Sequence, residues 1–275
     1  MSIVPTITLN DGVEIPQLGL GTYQIPPEDT VEATLRALEI GYRHIDTAQM
    51  YGNEASVGEA VRRSGVDRED VFVTSKLDND AHGHGEALAA FDRTMERLDL
   101  GYVDLFLIHW PMATSTDMVG TWRAFEELRD SGRVRSIGVS NFEIEHLQQL
   151  FDETDTVPAV NQIEIHPYFA QNELRTFGDE HGIVTEAWSP IARGDVLDDP
   201  VVTAIADEVG RTPAQVVLRW HLQRGDVIFP KTVHPDRMRE NFEIFDFGLD
   251  PDAARRIDGL DRGGRRGPAP ADVER

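Results

Sequence analysis

Several reactive side chains of this protein stand directly after short apolar segments. Asp46 ends one such segment, and the phenol of Tyr51 follows five residues later. Lys76 and His109 stand at the ends of two further segments. A carboxylate, an ammonium group, a phenol and an imidazole held together can deliver a proton to an oxygen atom or remove one from it. The sequence therefore indicates an acid–base site, provided that the fold gathers these segment ends.

The elements that must gather them alternate between strand and helix patterns. Eight short apolar runs are typical of buried parallel strands. They cover residues 18–22, 44–47, 71–75, 103–109, 137–140, 160–165, 184–188 and 227–230. Amphipathic stretches of helical length lie between them, among them residues 27–39, 54–63, 85–98 and 121–130. Eight such units predict an α/β protein with the architecture of a (β/α)8 TIM barrel.

Three further features refine this barrel. Asn10-Asp11-Gly12 predicts a turn and hence an N-terminal β-hairpin. The long gap before the last strand predicts two extra helices near the C-terminal end, one of them starting at the capping residue Thr212 and Pro213. We expect one domain over residues 1–275, with an irregular tail from about residue 261, where periodicity ends.

In such a barrel the chemistry lies at the carboxyl ends of the strands. Every predicted strand delivers a polar or aromatic side chain there. These residues are Thr22, Tyr23, Asp46, Lys76, His109, Ser140, Asn141, Gln162, Trp188 and Lys231.

The composition narrows the class of protein. The absence of Cys excludes disulfides, thiolate nucleophiles and Cys-based metal sites. The net charge of −23 disfavours nucleic acids and anionic membranes as partners. No basic and apolar leader and no apolar run of about 18 residues is present, so we expect a cytoplasmic protein without a membrane segment. Only two basic residues are Lys, Lys76 and Lys231, and this acidic, Lys-poor composition is typical of extreme halophiles.

Other motifs favour no competing chemistry. Gly19-Leu20-Gly21 begins like a dinucleotide-binding fingerprint, but Gln24 stands where the third glycine belongs. His82-Gly83-His84 lies near two acidic residues, but a solvated loop explains it better than a metal site, so we expect no metal. Residues 138–142 lack the second glycine of a serine-nucleophile elbow.

Six sequence strings, in order, give the chain a resemblance to a known family. They are Gly-Tyr-Arg-His-Ile-Asp-Thr-Ala at 41–48, Val-Thr-Ser-Lys-Leu at 73–77, Leu-Ile-His-Trp-Pro at 107–111, Ile-Gly-Val-Ser-Asn-Phe at 137–142, Asn-Gln-Ile-Glu-Ile-His-Pro at 161–167 and Pro-Lys-Thr at 230–232 with Arg-Met-Arg-Glu-Asn at 237–241. On these strings the chain resembles the aldo-keto reductases over about residues 6–266. Trp-Ser-Pro at 188–190 and Trp-His-Leu-Gln at 220–223 are similar to the prokaryotic 2,5-diketogluconate reductase-like branch.

The resemblance implies a catalytic tetrad of Asp46, Tyr51, Lys76 and His109. Tyr51 would be the general acid that protonates the carbonyl oxygen, Lys76 would lower the pKa of this phenol from about 10 towards about 7, and Asp46 would hold Lys76 charged. His109 would orient the substrate carbonyl. Taken singly, Tyr51 could also be ordinary loop packing, Lys76 with Asp46 a structural ion pair, and His109 a buried strand-end histidine.

The resemblance also implies NADPH as the cofactor and a small carbonyl compound as the substrate. Ser140, Asn141 and Gln162 would bind the nicotinamide carboxamide, Trp188 would stack on its ring, and Ser189 would lie along the pyrophosphate. Lys231, Thr232 and Arg237 would hold the 2′-phosphate, and Glu240 and Asn241 would contact the adenine. The complete set of implied cofactor-binding residues is Thr22, Tyr23, Asp46, Ser140, Asn141, Gln162, Trp188, Ser189, Lys231, Thr232, Arg237, Glu240 and Asn241. The implied substrate-binding residues are Tyr23, Tyr51, His109 and Trp110.

The expected activity is therefore NADPH-dependent reduction of aldehydes or ketones by a monomer. Two alternatives stay open, an oxidative sugar or alcohol dehydrogenase and a cofactor-sensing binding subunit like the β subunits of potassium channels. Asp78 and the tail around Gly267 depart from common family patterns, which leaves the substrate open and suggests a wider, more polar mouth.

Overall fold

The computed structural model describes residues 4–273 and begins with a short β-hairpin. Strands β1 (Thr6–Thr8) and β2 (Glu14–Pro16) pair antiparallel, with Ile7 opposite Ile15. Gly12 has a φ of +86°, a conformation that glycine adopts without strain and that the turn requires. The predicted hairpin is confirmed, with its turn at residues 10–12.

Eight parallel strands follow and form the expected barrel. They are β3 (Leu20–Gly21), β4 (His44–Asp46), β5 (Phe72–Leu77), β6 (Val103–Ile108), β7 (Val134–Ser140), β8 (Val160–Glu164), β9 (Val184–Trp188) and β10 (Val227–Ile228). Neighbours in the chain are neighbours in the sheet. A parallel bridge between Leu18 and Ile228 joins the first strand to the last and closes the barrel.

Helices cover the outside of the barrel. They are α1 (Pro27–Ile40), α2 (Glu54–Arg63), α3 (His84–Leu98), α4 (Met118–Asp130), α5 (Ile144–Glu153), α6 (Asn172–Glu180), α7 (Pro200–Val209), α8 (Pro213–Gln223), α9 (Pro235–Phe242) and α10 (Pro251–Asp258). The pair α7 and α8 fills the gap before the last strand, as predicted. Thr212 caps α8 by accepting a hydrogen bond from the backbone N–H of Gln215.

Several predicted boundaries need correction: β7 begins at Val134, three residues before the expected position, and β10 ends at Ile228, two residues before it. Helix α4 begins three residues before the expected position, because Asp117 caps it and accepts a hydrogen bond from Gly120 N. Strand β5 runs on to Leu77, so Lys76 lies within the strand and projects from it rather than following it. The tail from residue 261 has no α-helix or strand within the described residues, and only Pro270–Asp272 forms a 3-10 turn.

The interior contains two clusters of buried apolar side chains. The first lies between the strands of the barrel and the surrounding helices. Inside the barrel, Leu9 and Ile15 of the hairpin pack with Leu105, Leu107 and Val160, so the hairpin closes the amino-terminal end. The carboxyl ends of the strands instead bury polar and charged side chains. Such groups are retained in a protein interior only when they are paired or hydrogen-bonded, which marks this end as the site.

Gly19 and Gly21 serve the barrel and not a dinucleotide fingerprint. A Cβ atom on Gly21 would lie 2.5 Å from the backbone oxygen of Phe229, and one on Gly19 would lie 2.9 Å from that of His44. These glycines allow the first strand to pack closely against its neighbours.

Among the described residues, no helix combines the length and apolar character needed to cross a membrane.

Candidate active site

A buried ion pair forms the centre of the site. Lys76 on β5 donates to both carboxylate oxygens of Asp46 on β4, at 2.7 and 2.8 Å, and to the carbonyl oxygen of Thr47 at 2.8 Å. Both side chains are almost completely buried. Burial alone would lower the pKa of Lys76, but the carboxylate of Asp46 raises it above its ordinary value. The ammonium group therefore stays charged at neutral pH.

Tyr51 lies against this ion pair, with its oxygen 3.4 Å from Lys76 Nζ. Lys76 is the donor in this contact, so the phenolic hydrogen remains available to another acceptor. The expected lowering of the phenol pKa towards 7 is wrong for this structure. Burial raises the pKa of Tyr51 to about 12, and the Lys76 ammonium opposes this shift only in part because Asp46 counteracts its charge. Tyr51 is thus a protonated phenol over the whole neutral range.

The loop that carries the phenol, residues 47–54, is anchored on both sides. Asn53 donates to the carbonyl oxygens of Thr22 and Ile25, both at 3.0 Å. Gln49 donates to the carbonyl oxygen of Ala90 on α3 at 2.9 Å. These buried contacts fix the phenol relative to the strand ends, as an acid that must meet a substrate atom requires.

The imidazole of His109 and the ring of Tyr23 border the phenol of Tyr51. The ring centres of Tyr51 and His109 are 5.8 Å apart, and those of Tyr23 and Tyr51 are 5.1 Å apart. Burial, assisted by the charge of Lys76, holds the pKa of His109 well below its ordinary value, so the imidazole is neutral. Trp110 stacks beside His109 at 6.5 Å, and Tyr23 is 52% exposed at the rim. The structure therefore brings the four residues predicted to bind substrate into one chain of ring contacts, and their role in binding stays a prediction.

Glu186, which sequence reasoning missed, lies directly behind the ion pair. Gln162 Nε2 donates to Asp46 Oδ2 at 2.9 Å and to Glu186 Oε2 at 2.7 Å. Burial and the negative charge of Asp46 raise the pKa of Glu186 to about 8, so it is mostly neutral at pH 7. The sequence did contain an indication of this residue, because Glu186 is a carboxylate inside the otherwise mostly apolar strand β9.

The residues predicted for the nicotinamide ring cluster on β7, β8 and β9. Asn141 donates to Ser140 Oγ at 3.0 Å and accepts the indole N–H of Trp188 at 2.9 Å. Ser140 donates to the carbonyl oxygen of Gln162 at 2.8 Å. Asn141 and Ser189 have φ values of +62° and +52°. Left-handed backbone at non-glycine residues carries strain and concentrates at functional sites.

The residues predicted for the adenosine end lie around the start of α9. Lys231 and Arg237 are exposed, and neither forms a hydrogen bond or ion pair within residues 4–273. Thr232 accepts a hydrogen bond from the backbone N–H of His234 at 3.1 Å, and Asn241 is buried. Glu240 accepts from Thr212 at 2.7 Å, and its contact with adenine stays a prediction. The cationic side chains of Lys231 and Arg237 have no acidic partner in the described part of the chain although the protein has a net charge of −23, and charged side chains of this kind bind phosphate groups well.

The His82-Gly83-His84 segment does not form a cluster of potential metal ligands in the described part of the chain. Residues 4–273 contain no group of three or more side chains placed to ligate a metal ion. His82 contacts the hydroxyl of Thr116 at 3.0 Å, and His84 lies 3.3 Å from Glu127. The two histidines of this segment thus have different partners on or near α4.

Comparisons with known proteins agree with the geometry. The model of the Aldo/keto reductase family matches residues 17–262. An aldo-keto reductase of Mycolicibacterium smegmatis is 54% identical over 97% of both chains, and 2,5-diketo-D-gluconic acid reductase B of a Corynebacterium species is 48% identical over 96% of this chain and 95% of its own. A mutant of Gox0644 solved in complex with NADPH superposes with a TM-score of 0.96 at 45% identity, covering 99% of this chain and 100% of that one. The chain belongs to the aldo/keto reductase family.

Proposed function

We propose that this protein reduces aldehydes and ketones to alcohols with NADPH, using Tyr51 as the general acid. The observation that carries the proposal is the contact of Lys76 with the oxygen of Tyr51 at 3.4 Å, which leaves the phenolic hydrogen free beside the imidazole of His109. When bound, NADPH supplies a hydride to the carbonyl carbon, so the residues of the chain must supply a proton to the oxygen.

The high pKa of Tyr51, about 12, is compatible with this role. As the carbonyl is reduced, its oxygen approaches an alkoxide, whose basicity is close to that of hydroxide and well above that of a phenolate. Proton transfer from Tyr51 to that oxygen is therefore downhill. Lys76 stabilises the phenolate that remains, and Asp46 keeps Lys76 in place. The neutral imidazole of His109 orients the carbonyl through one N–H donor.

The residues around the mouth fit the cofactor. Lys231 and Arg237 would hold the 2′-phosphate together with Thr232, and Ser140, Asn141 and Gln162 would hold the carboxamide. Trp188 would stack on the nicotinamide ring, with Ser189 near the pyrophosphate and Glu240 and Asn241 near the adenine. Thr22, Tyr23 and Asp46 would complete the wall beside the ring. The exposed, uncommitted cations at the start of α9 support the choice of NADPH over NADH.

We also place the enzyme, as a monomer made of one barrel domain, in a salt-rich cytoplasm. The composition supports the salt-rich setting, because 49 acidic residues oppose 26 basic ones, of which two are Lys. An intact tetrad disfavours a role limited to cofactor sensing. The Corynebacterium relative is named for a diketo sugar acid, and small polar carbonyl compounds are therefore the first substrates to test.

The test is NADPH consumption with a panel of aldehydes, ketones and keto acids, with NADH as the comparison. Tyr51→Phe removes the phenolic proton and should lower turnover by at least about 10²-fold, the range of general acid catalysis, without loss of NADPH binding. Tyr102→Phe is the matched control, because Tyr102 packs against Arg68 at a distance from the site. Near-normal turnover by Tyr51→Phe would contradict the proposed acid, and no NADPH consumption with any carbonyl compound would favour a sensing role.

A further inference from the structure

The C-terminal tail is bound at the mouth of the barrel by a buried carboxylate. Glu164, at the end of β8, has a fully buried side chain. It accepts hydrogen bonds from the backbone N–H groups of Arg266 at 2.6 Å and Gly267 at 2.9 Å, and from His166 Nε2 at 2.9 Å. Two backbone donors on one carboxylate fix the path of the tail, since each bond is directional and charge-assisted.

The tail segment held in this way touches Trp188. A Cβ atom on Gly267 would overlap the ring carbon Cη2 of Trp188 and lie 3.1 Å from Cζ3. The φ of Gly267 lies outside the left-handed region, so its backbone is open to other residues. The need for glycine at this position therefore comes mainly from the indole ring, with Glu164 Oε2 as a second close neighbour at 3.2 Å. The opposite, N–H edge of the ring is held by Asn141 Oδ1 at 2.9 Å.

We propose that Glu164 and Gly267 are positioning residues that hold the tail against the outer edge of Trp188 and so fix the indole ring on which nicotinamide stacks. The inference rests on the proposed function, because it assumes that Trp188 is the stacking surface. Asn141 holds one edge of the ring and the tail backs the other. The ring is thereby placed before the cofactor arrives, which lowers the entropic cost of binding.

Two substitutions separate this role from a general effect on the fold. Gly267→Ala places a methyl group where the indole edge lies and must displace the ring or the tail. Glu164→Gln keeps the size of the side chain but turns an N–H donor towards one of the two backbone donors of the tail. Asp195→Asn is the control, because Asp195 also contacts the tail, through Arg266 at 2.9 Å, but at a half-exposed ion pair.

The experiment compares two ligands by calorimetry. One is NADPH, and the other is 2′-phosphoadenosine diphosphoribose, which lacks only the nicotinamide ring. Gly267→Ala and Glu164→Gln should each weaken NADPH binding by about tenfold, within the range of one aromatic stack, and leave binding of the nicotinamide-free ligand unchanged. Asp195→Asn should change neither. In Trp188→Ala, adding Gly267→Ala should cause no further loss, because the ring that it disturbs is absent.

Each result has a distinct meaning. If Trp188→Ala weakens only NADPH while Gly267→Ala and Glu164→Gln bind it normally, the backing role is wrong and the stacking role stands. If Trp188→Ala binds both ligands normally, the stacking assignment of the proposed function is wrong, and the backing role with it. Equal loss of both ligands in Gly267→Ala and Glu164→Gln would show a general disturbance of the mouth and would also overturn the inference.

Discussion

Glu186→Gln should stabilise the folded protein at neutral and alkaline pH and have less effect in acid. Glu186 is completely buried behind Asp46, and its Oε1 has no hydrogen-bond partner among the described residues. Its pKa is raised from an ordinary value of 4.5 to about 8 by burial and by the charge of Asp46. The unfolded chain therefore releases the proton of Glu186 at a lower pH than the folded chain does.

The sign of the effect follows from this difference. A carboxyl group with a raised pKa in the folded state favours folding fully below its unfolded pKa, and this contribution is lost as pH rises through the folded pKa. One unit of pKa corresponds to about 1.4 kcal/mol, so Glu186 costs the folded state about 3 kcal/mol at pH 7 and about 5 kcal/mol above pH 8. Glutamine resembles the neutral acid in size and shape and has no such pH-dependent cost.

The assay is urea unfolding of the wild type and Glu186→Gln at several pH values between 4.5 and 8.5. The difference in the free energy of unfolding should grow in favour of the variant by about 1.4 kcal/mol per pH unit between pH 5 and pH 8. An unpaired amide N–H in the variant would add a constant offset, which leaves the slope unchanged. Parallel stability curves for the two proteins would refute the assignment of Glu186 as a neutral buried acid.

Two further predictions concern the ion pair and the surface. Asp46→Asn leaves the Lys76 ammonium buried without its carboxylate. It should destabilise the protein by about 3–5 kcal/mol in urea unfolding and lower turnover. Unchanged stability would contradict the interpretation of Asp46 and Lys76 as a buried ion pair. Potassium chloride up to the molar range should raise the thermal unfolding midpoint and the activity, because it screens repulsion in a chain of net charge −23. A maximum of both in dilute buffer would argue against the halophilic proposal.

The barrel, and the meeting of Asp46, Tyr51, Lys76 and His109 at one end of it, could be predicted because their signals are local. Each strand is a short apolar run, and each catalytic candidate stands at or near the end of one. The pKa of Tyr51 could not be predicted in the same way. It depends on how completely Asp46 counters Lys76 and on how deeply the phenol is buried, and both are three-dimensional quantities.

Glu164 and the tail show a second limit of sequence reasoning. The tail has no periodicity, and nothing in its composition indicates that its backbone N–H groups pair with a carboxylate about 100 residues earlier in the chain. Gly267 appeared as a departure that would widen the mouth, whereas in the structure it allows the tail to pack against Trp188. Glycine is informative about close approach only when the approaching group is known.

In the proposed function, the choice of cofactor depends on the cations at the start of α9. Arg237 lies in the first turn of this helix and Lys231 precedes it, so both are near the end where backbone N–H groups already favour an anion. A charge-assisted hydrogen bond is worth about 1.5–3 kcal/mol, so Arg237→Ala should raise the NADPH dissociation constant by about 10- to 150-fold. NADH has a neutral hydroxyl at this position, and its affinity should hardly change. Arg239→Ala is the matched control, because residues two apart point to opposite sides of a helix. Titration of both cofactors at low and high potassium chloride measures these affinities, and salt should reduce the preference for NADPH by screening the same contacts. An equal loss of NADPH and NADH affinity in Arg237→Ala would mean that Arg237 is structural, and a wild-type preference for NADH would overturn the assignment of this cluster to the 2′-phosphate.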